Sequence, residues 1–338
     1  MMFISYAQNF EDVMLWRALG HVEHGFYIDV GANHPSEDSV TKAFYERGWS
    51  GINIEPLAKH ARQLQQERPR DINLQLAVGA ENGEVELFDT PVRGLATASA
   101  AVAEMHAGAG LQTVRSVVAM RRLDDICAEY APADIHFLKI DVEGFEAQVL
   151  AGMDLRRFRP WVLLVEATVP TSKRIDASWE PQIIAAGYRF VYFDGLNRYY
   201  VADERADALA PHFSAPPNVF DAFVSAELVE WQEKSAALNT RLRSAHAQLA
   251  LAQEDLQVLE QRLGDAEHEL DDLRNSTSWR VTEPLRHAGI RARALKQQLR
   301  HDGVAGLVAL GQRLPVLRRL GGQSARALGV HARLQPLL

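Results

Sequence analysis

Through the first 225 residues, short apolar runs alternate with segments whose apolar residues recur at helical spacing. Runs at 26–31, 51–55, 72–78, 84–88, 136–141, 161–166, 188–193 and 198–202 predict strands. Segments near 37–47, 57–67, 123–130, 145–151 and 179–186 predict the helices between them. A leading helix is expected over Ser5 to Leu19, where Phe10, Val13, Met14 and Leu19 fall on one face. Such alternation builds an α/β domain on a mostly parallel sheet. The last two strands are separated only by Asp194-Gly195-Leu196-Asn197, so the sheet should finish in an antiparallel hairpin.

From about Leu228 the period changes. Leu242, Leu249, Leu256, Leu263 and Leu270 recur every seven residues, and Leu238, Ala245, Ala252, Leu259, Ala266 and Leu273 fill the second seam position. This sustained heptad predicts a coiled coil, a rod of about 70 Å at 1.5 Å per residue. An apolar stripe of that length needs a partner helix, from a second copy or another protein. The helix should stop near Asn275-Ser276-Thr277-Ser278, with Thr282 capping the next one and Pro284 in its first turn. The expected organisation is a domain over 1–225, a coiled coil over 226–275 and a basic, partly helical tail over 276–338.

Charge sharpens the division. The chain of 338 residues carries a net charge of −8. Residues 280–338 hold 11 Lys/Arg against Glu283 and Asp302, which is +9 and leaves −17 on the remainder. In the tail, Arg313, Arg318 and Arg319 interleave with Leu310, Leu314, Leu317 and Leu320, a basic amphipathic pattern suited to a membrane surface or an acidic partner. A solvated tail has the same composition, and Pro315 interrupts the pattern. Apolar stretches such as Val304 to Gly311 are too short to span a bilayer. The first dozen residues include Glu11 and Asp12 with no basic n-region, so no signal peptide is expected. Cys127 is the only cysteine, which removes an internal disulfide and a thiolate metal site. A cytoplasmic protein is expected.

Two segments carry candidate chemistry. In Phe26-Tyr27-Ile28-Asp29-Val30-Gly31-Ala32-Asn33-His34-Pro35 an apolar run ends in an acid and a glycine, and Glu55 closes the next run. That is the layout of a nucleotide-binding first βαβ unit, whose second acid accepts hydrogen bonds from ribose hydroxyls. No G-x-G-x-x-G is present, so the turn offers no cradle for a pyrophosphate. A ribose-bearing ligand without phosphate fits, and S-adenosylmethionine is the commonest such cofactor. Asp29 and Gly31 should flank its amino-acid end, with Asn33 where the following helix begins and His34 at the mouth. Asp and Gly also follow many strands with no ligand, and a His at a turn is often a hydrogen-bonding surface residue.

The second segment is Phe137-Leu138-Lys139-Ile140-Asp141-Val142-Glu143-Gly144-Phe145-Glu146. A buried strand delivers Asp141 and Glu143 at its C-terminal end, where ligands sit in open α/β sheets. Two carboxyls that close push one pKa up, which suits a general base. Asp141 is the first choice for the base, before Glu143, which equally well caps the next helix, and His34. One Asp-x-Glu pair does not by itself indicate a metal. Gly94 to Ser99 and the Ala- and Gly-rich residues 100–112 are expected to be linker.

With these residues in hand, positions 1–225 resemble the FkbM family of S-adenosylmethionine-dependent methyltransferases. The resemblance rests on Ser5-Tyr6-Ala7-Gln8-Asn9-Phe10-Glu11-Asp12, on Tyr27 to Pro35 with Asp38-Ser39-Val40-Thr41, on Asn53-Ile54-Glu55-Pro56, on Leu76-Ala77-Val78-Gly79, and on Leu138 to Glu146 with Val149-Leu150. It implies a class I, Rossmann-like fold with a mostly parallel seven-stranded sheet, and methyl transfer to a hydroxyl of a sugar or a natural-product intermediate. It also implies that Gln8 and Glu11 lie over the site, that Glu55 binds ribose, and that Ala77 and Val78 line the adenine pocket. Asn275 to Arg286, after a heptad segment, is similar to an element of bacterial glycosyltransferases that build surface polysaccharides. The expected function is therefore O-methylation of a surface glycan or its lipid-linked precursor, with the tail touching the inner face of the membrane. Rival readings are a non-catalytic coiled-coil scaffold, methylation of a small natural product, a nicotinamide-dependent oxidoreductase, which only Gly31 of a three-glycine fingerprint supports, and nucleic-acid methylation, for which no Asn-Pro-Pro-Tyr-like motif is present.

Overall fold

The computed structural model describes residues 2–92, 94–169 and 174–313, with side chains to residue 297. Its contacts divide the chain into two units at Leu238/Asn239.

The first unit opens on strand β1 (Phe3–Ser5), helix α1 (Glu11–Leu19), strand β2 (Phe26–Val30), helix α2 (Lys42–Glu46), strand β3 (Ser50–Ile54), helix α3 (Ala58–Glu67) and strands β4 (Ile72–Leu74), β5 (Ala77–Val78) and β6 (Gly83–Asp89). It continues through helix α4 (Ala100–Gly108), strand β7 (Val114–Arg121), helix α5 (Leu123–Tyr130), strand β8 (Phe137–Ile140), helix α6 (Glu146–Ala151), strand β9 (Val162–Glu166) and helix α7 (Glu180–Ala185). Strands β10 (Tyr188–Phe193) and β11 (Asn197–Ala202), helix α8 (Ala206–Leu209) and strand β12 (Phe223–Ser225) complete it.

The main sheet runs β10-β11-β9-β8-β2-β3-β4. Strands β9, β8, β2, β3 and β4 pair in parallel, while β11 is antiparallel to both β9 and β10. Two smaller sheets accompany it, β5-β7-β6 and β1-β12. The single mostly parallel sheet expected from the pattern is thus replaced by mixed sheets. A short connection explains one reversal, between β10 and β11, whereas antiparallel β6 and β7 are joined through helix α4.

Strand periodicity places a core on each face. Ile28, Val30, Ile52, Ile54, Leu138 and Ile140 pack toward Leu123, Ile126, Val149 and Ile183 of the helices on one side. Tyr27, Phe137, Val162 and Leu164 face the other side, against Met14, Leu15, Leu19 and Phe44. Asp29 shares the Tyr27 face, so a carboxylate is carried into an apolar layer at the end of a central strand.

Several local expectations change. The predicted strand 72–78 breaks after Leu74, sending β4 to the main sheet and β5 to the small one. Helix α1 starts at Glu11 instead of Ser5, because the Asp12 carboxylate accepts from Ser5 Oγ at 2.6 Å and Tyr6 N at 2.8 Å and holds that segment extended. The expected linker at 100–112 contains α4, whose start is capped by Ser99 Oγ accepting from Val102 N. Strand β7 is not among the expected strands; its run Val117-Val118-Ala119-Met120 is short, and Val114 and Val117 face solvent.

Helix α9 (Ala226–Asn275) is continuous over 50 residues and buries none of them; Leu242, Leu249, Leu256, Leu263 and Leu270 are all exposed. Helix α10 (Thr277–Arg313) follows after Ser276, whose Oγ accepts from Trp279 N at 3.2 Å. Ser276, not Thr282, therefore caps it. Pro284 lies inside the helix, and Thr282 Oγ1 donates to Ser278 O at 2.7 Å. Of the basic amphipathic stretch, everything from Leu314 onward lies outside the described residues. No helix among the described residues is long and apolar enough to cross a membrane.

Candidate active site at the strand ends

Gly31 turns the chain out of β2 with φ +80°. A Cβ there would stand 1.8 Å from the Asp141 carbonyl oxygen, so the ends of β2 and β8 approach this closely only around a glycine. The Gly31 and Ala32 amides both donate to Ile54 O, at 3.0 and 3.1 Å, which ties the turn to the end of β3. Asn33 follows with φ +50° and donates its backbone N–H to Glu55 Oε2 at 2.8 Å. Leu57 N donates to Glu55 Oε1 at 2.7 Å. Glu55 is therefore fixed from two sides at the tip of β3. Burial pushes its carboxyl up to about 7, against the pull of those two backbone donors.

Register brings the next group together. Asp29 and Lys139 are direct partners across β2 and β8, and their side chains share a face. The Lys139 ammonium lies 3.3 Å from Asp29 Oδ1 and 3.2 Å from Asp141 Oδ2, and donates to Gly31 O at 3.2 Å. Burial alone would pull its pKa down; Asp141 and Asp29 more than reverse that, and the net shift is upward. Thr41 Oγ1 donates to Asp29 Oδ2 at 2.9 Å.

Beyond Lys139 the charge turns acidic. Asp141, Glu143 and Glu166 each present a carboxylate oxygen within 4.8 Å of the others, a spacing that admits a metal ion. Glu166 ends β9 beside Asp141 because Val165 registers with Ile140. Burial first, and then the neighbouring acids, raises Glu143 and Glu166 well above the usual carboxylate range. Glu146 accepts from the Val142 and Gly144 amides, both at 3.1 Å, and burial takes it to about 7.

Several of these groups line one cavity of about 530 Å³. Its walls include Asp29, Gly31, Asn33, Glu55, Ala77, Val78, Lys139, Asp141 and Glu143, together with Gln8. His34 and Glu11, also named as candidates, are not among the described wall residues. His34 Nδ1 accepts from the Ser36 and Glu37 amides, at 3.2 and 3.0 Å, so its ring organises the turn. Glu11 is buried against Asn9 N at 2.8 Å and Asn197 Nδ2 at 3.0 Å, where burial takes it to about 7. A second cavity of about 220 Å³ is bounded by Gly144, Glu146, Glu166, Thr168 and Trp179.

Lys139 and Glu166 escaped the sequence reading in different ways. Lys139 stands inside the segment Phe137 to Glu146 and is given no role there. Glu166 carried the same signal as Glu55, an acid closing an apolar strand, with no motif around it to draw notice.

The site is acidic, with Glu55, Asp141 and Glu143 lining one cavity. No curated protein matches the chain. Residues 29–190, the span from Asp29 through all of the acids at the strand ends, match the family model of the methyltransferase FkbM domain.

Proposed function

We propose that this protein is an S-adenosylmethionine-dependent O-methyltransferase acting on a sugar hydroxyl of a surface polysaccharide or its lipid-linked precursor. One observation carries the reading: within the matched span, the Gly31 turn, Glu55 and Asp141 all face the same cavity of about 530 Å³. That volume lies in the range of small-molecule and cofactor sites, roughly 300–1,000 Å³.

The residues present fit the cofactor. Glu55 accepts one backbone bond on each oxygen and keeps lone pairs for two ribose hydroxyls. Asn33 Oδ1 is buried without a protein partner at the cavity wall, an acceptor suited to an ammonium or hydroxyl donor. Ala77 and Val78 offer an apolar wall for adenine. When bound, the cofactor supplies a methyl group on a sulfonium, whose carbon–sulfur electron pair stays on sulfur as the new carbon–oxygen bond forms. The protein's task is to align the acceptor and take its proton. Asp141, on the cavity wall and steadied by Lys139, is the group placed to receive it, with Glu143 next to it.

The exposed leucine seam of α9 supports a second element, pairing with another helix from a further copy or a glycan-assembly protein. Residues 1–225, 226–275 and 276–338 then serve as catalytic domain, coiled coil and membrane-facing basic tail on the cytoplasmic side. A small natural-product hydroxyl is the alternative acceptor.

Calorimetry on the full chain with S-adenosylmethionine and S-adenosylhomocysteine tests the reading. Binding in the wild type, with affinity reduced roughly 10- to 100-fold in Glu55→Ala, is expected from the loss of a charged hydrogen bond. Absence of heat in the wild type would refute it.

A further inference from the structure

We propose that helix α9 pairs with α9 of a second copy of this chain, and that the two helices run antiparallel, with Leu242 of each against Leu273 of the other. The inference goes beyond the methyltransferase reading and does not depend on it.

Side-chain size along the seam sets the direction. From 242 to 273 the first seam position is always leucine: Leu242, Leu249, Leu256, Leu263 and Leu270. The second position carries Ala245, Ala252, Leu259, Ala266 and Leu273. All of them lie on one continuous helix that buries none of them. In a parallel pair each seam position meets its own copy, so Ala245, Ala252 and Ala266 would each face alanine. The leucine layers on either side hold the axes apart, and the short methyls would leave gaps between them. In an antiparallel pair the first position meets the second. Leu249 then faces Ala266, Leu263 faces Ala252 and Leu270 faces Ala245, while Leu256 faces Leu259. Every layer holds a leucine, and large residues are set against small ones. The β-branched first position that favours a parallel two-stranded coil is absent.

Charge fixes the register. With Leu242 on Leu273, the residues flanking the seam bring Asp255 to Arg262 of the second copy and His246 to its Glu267, each twice by symmetry. No like charges meet along either flank. Sliding the helices by one heptad, so that Leu242 meets Ala266, trades these contacts for Arg241 on Glu269 and sets Asp255 against its own copy. A parallel pair gains Arg262 on Glu267 and Glu269 on Arg274, but it sets Asp255 on Glu260 and keeps the alanine layers. Like charges held face to face are unfavourable in either case. A second copy is the occupant because the seam complements its own reverse. The same residues supply the leucine and the alanine of each mixed layer, and both signs of the central ion pair.

The test is made on the full chain, whose only natural cysteine, Cys127, is buried. Ala245→Cys and Leu270→Cys are expressed separately and together, then oxidised. A covalent dimer is expected from co-expression and from neither variant alone. In the antiparallel pair each introduced thiol lies beside the other variant's thiol and about 37 Å from its own copy, at 1.5 Å per residue. A covalent dimer from either variant alone would overturn the inference, and so would its absence from all three preparations. Asp255→Arg leaves the seam untouched and provides an independent measurement. It should weaken association in sedimentation equilibrium at least about threefold, and adding Arg262→Asp should restore it. Unchanged or tighter association of Asp255→Arg, the latter expected where residue 255 faces Glu260, would refute the antiparallel register. A wild type that sediments as one chain, or as three, would refute the pair itself.

Discussion

Lys139 holds its ammonium 3.2 Å from the carboxylate of Asp141, the residue that follows the end of its own strand. The same ammonium reaches Asp29 at 3.3 Å on the neighbouring strand. One buried ammonium thus bridges two carboxylates at the strand ends.

Replacing Lys139 by Met should destabilise the domain by about 3–5 kcal/mol, since Asp29 would be left as a buried, unpaired charge. Asp141 is half-open to solvent and contributes less. Lys139→Arg, which keeps the charge, should lose less. Urea midpoints of the three proteins measure this, and equal midpoints for wild type and Lys139→Met would contradict it.

The protein should be more stable near pH 5 than near pH 8. Burial raises Glu11, Glu55 and Glu146 to about 7 and Asp12 to about 6. Between the unfolded carboxyl range and pH 7 the folded state then binds more protons than the unfolded state, so stability falls as pH rises through that window. The loss should reach at least about 2 kcal/mol, given about 1.4 kcal/mol per pKa unit per group. Denaturation at fixed ionic strength across pH 5 to 8 reads it directly. A stability that climbed over this range would show that these acids are ionised in the fold.

Methyl transfer should accelerate as pH rises past neutrality. Glu143 and Glu166 hold protons well above the usual carboxylate range, and a protonated acid cannot receive the acceptor's proton. The profile of kcat/KM should therefore show an ascending alkaline limb that Glu143→Gln removes. A flat profile, unchanged by the substitution, would exclude Glu143 and Glu166 as proton acceptors.

Leu256→Asp should reduce the association of the full chain without altering cofactor binding. Leu256 is exposed at the middle of the α9 seam, where a charge would have to be buried against a partner helix. Sedimentation velocity of the two proteins compares their masses. If the wild type sediments as a monomer at all concentrations, self-pairing through α9 is ruled out and the partner is another protein.

Most of the strands and helices were legible because hydrophobic period is a local property. The Gly31 turn and Glu55 were legible too, as an acid closing an apolar run leaves its mark within a few residues. Helix α4 was masked by its own composition, as Ala and Gly without a clear apolar stripe read equally well as linker. Strand β7 carries only the run Val117 to Met120, flanked by Arg115, Ser116 and Arg121, and takes its place by pairing with β5 and β6.

The chain by itself determined where acids end strands, where the heptad begins and where charge changes sign, because each is written in neighbouring residues. Only the tertiary structure decided which of those groups meet. Asp29 finds Lys139 through the register of β2 with β8, and Glu166 joins Asp141 and Glu143 through the register of β8 with β9. Strand pairing brings together residues more than a hundred positions apart, or from the far end of a crossover, and no local period encodes it. His34 bonds within its own turn and Glu11 reaches Asn197 at the far end of the domain, a contact that no local pattern encodes either.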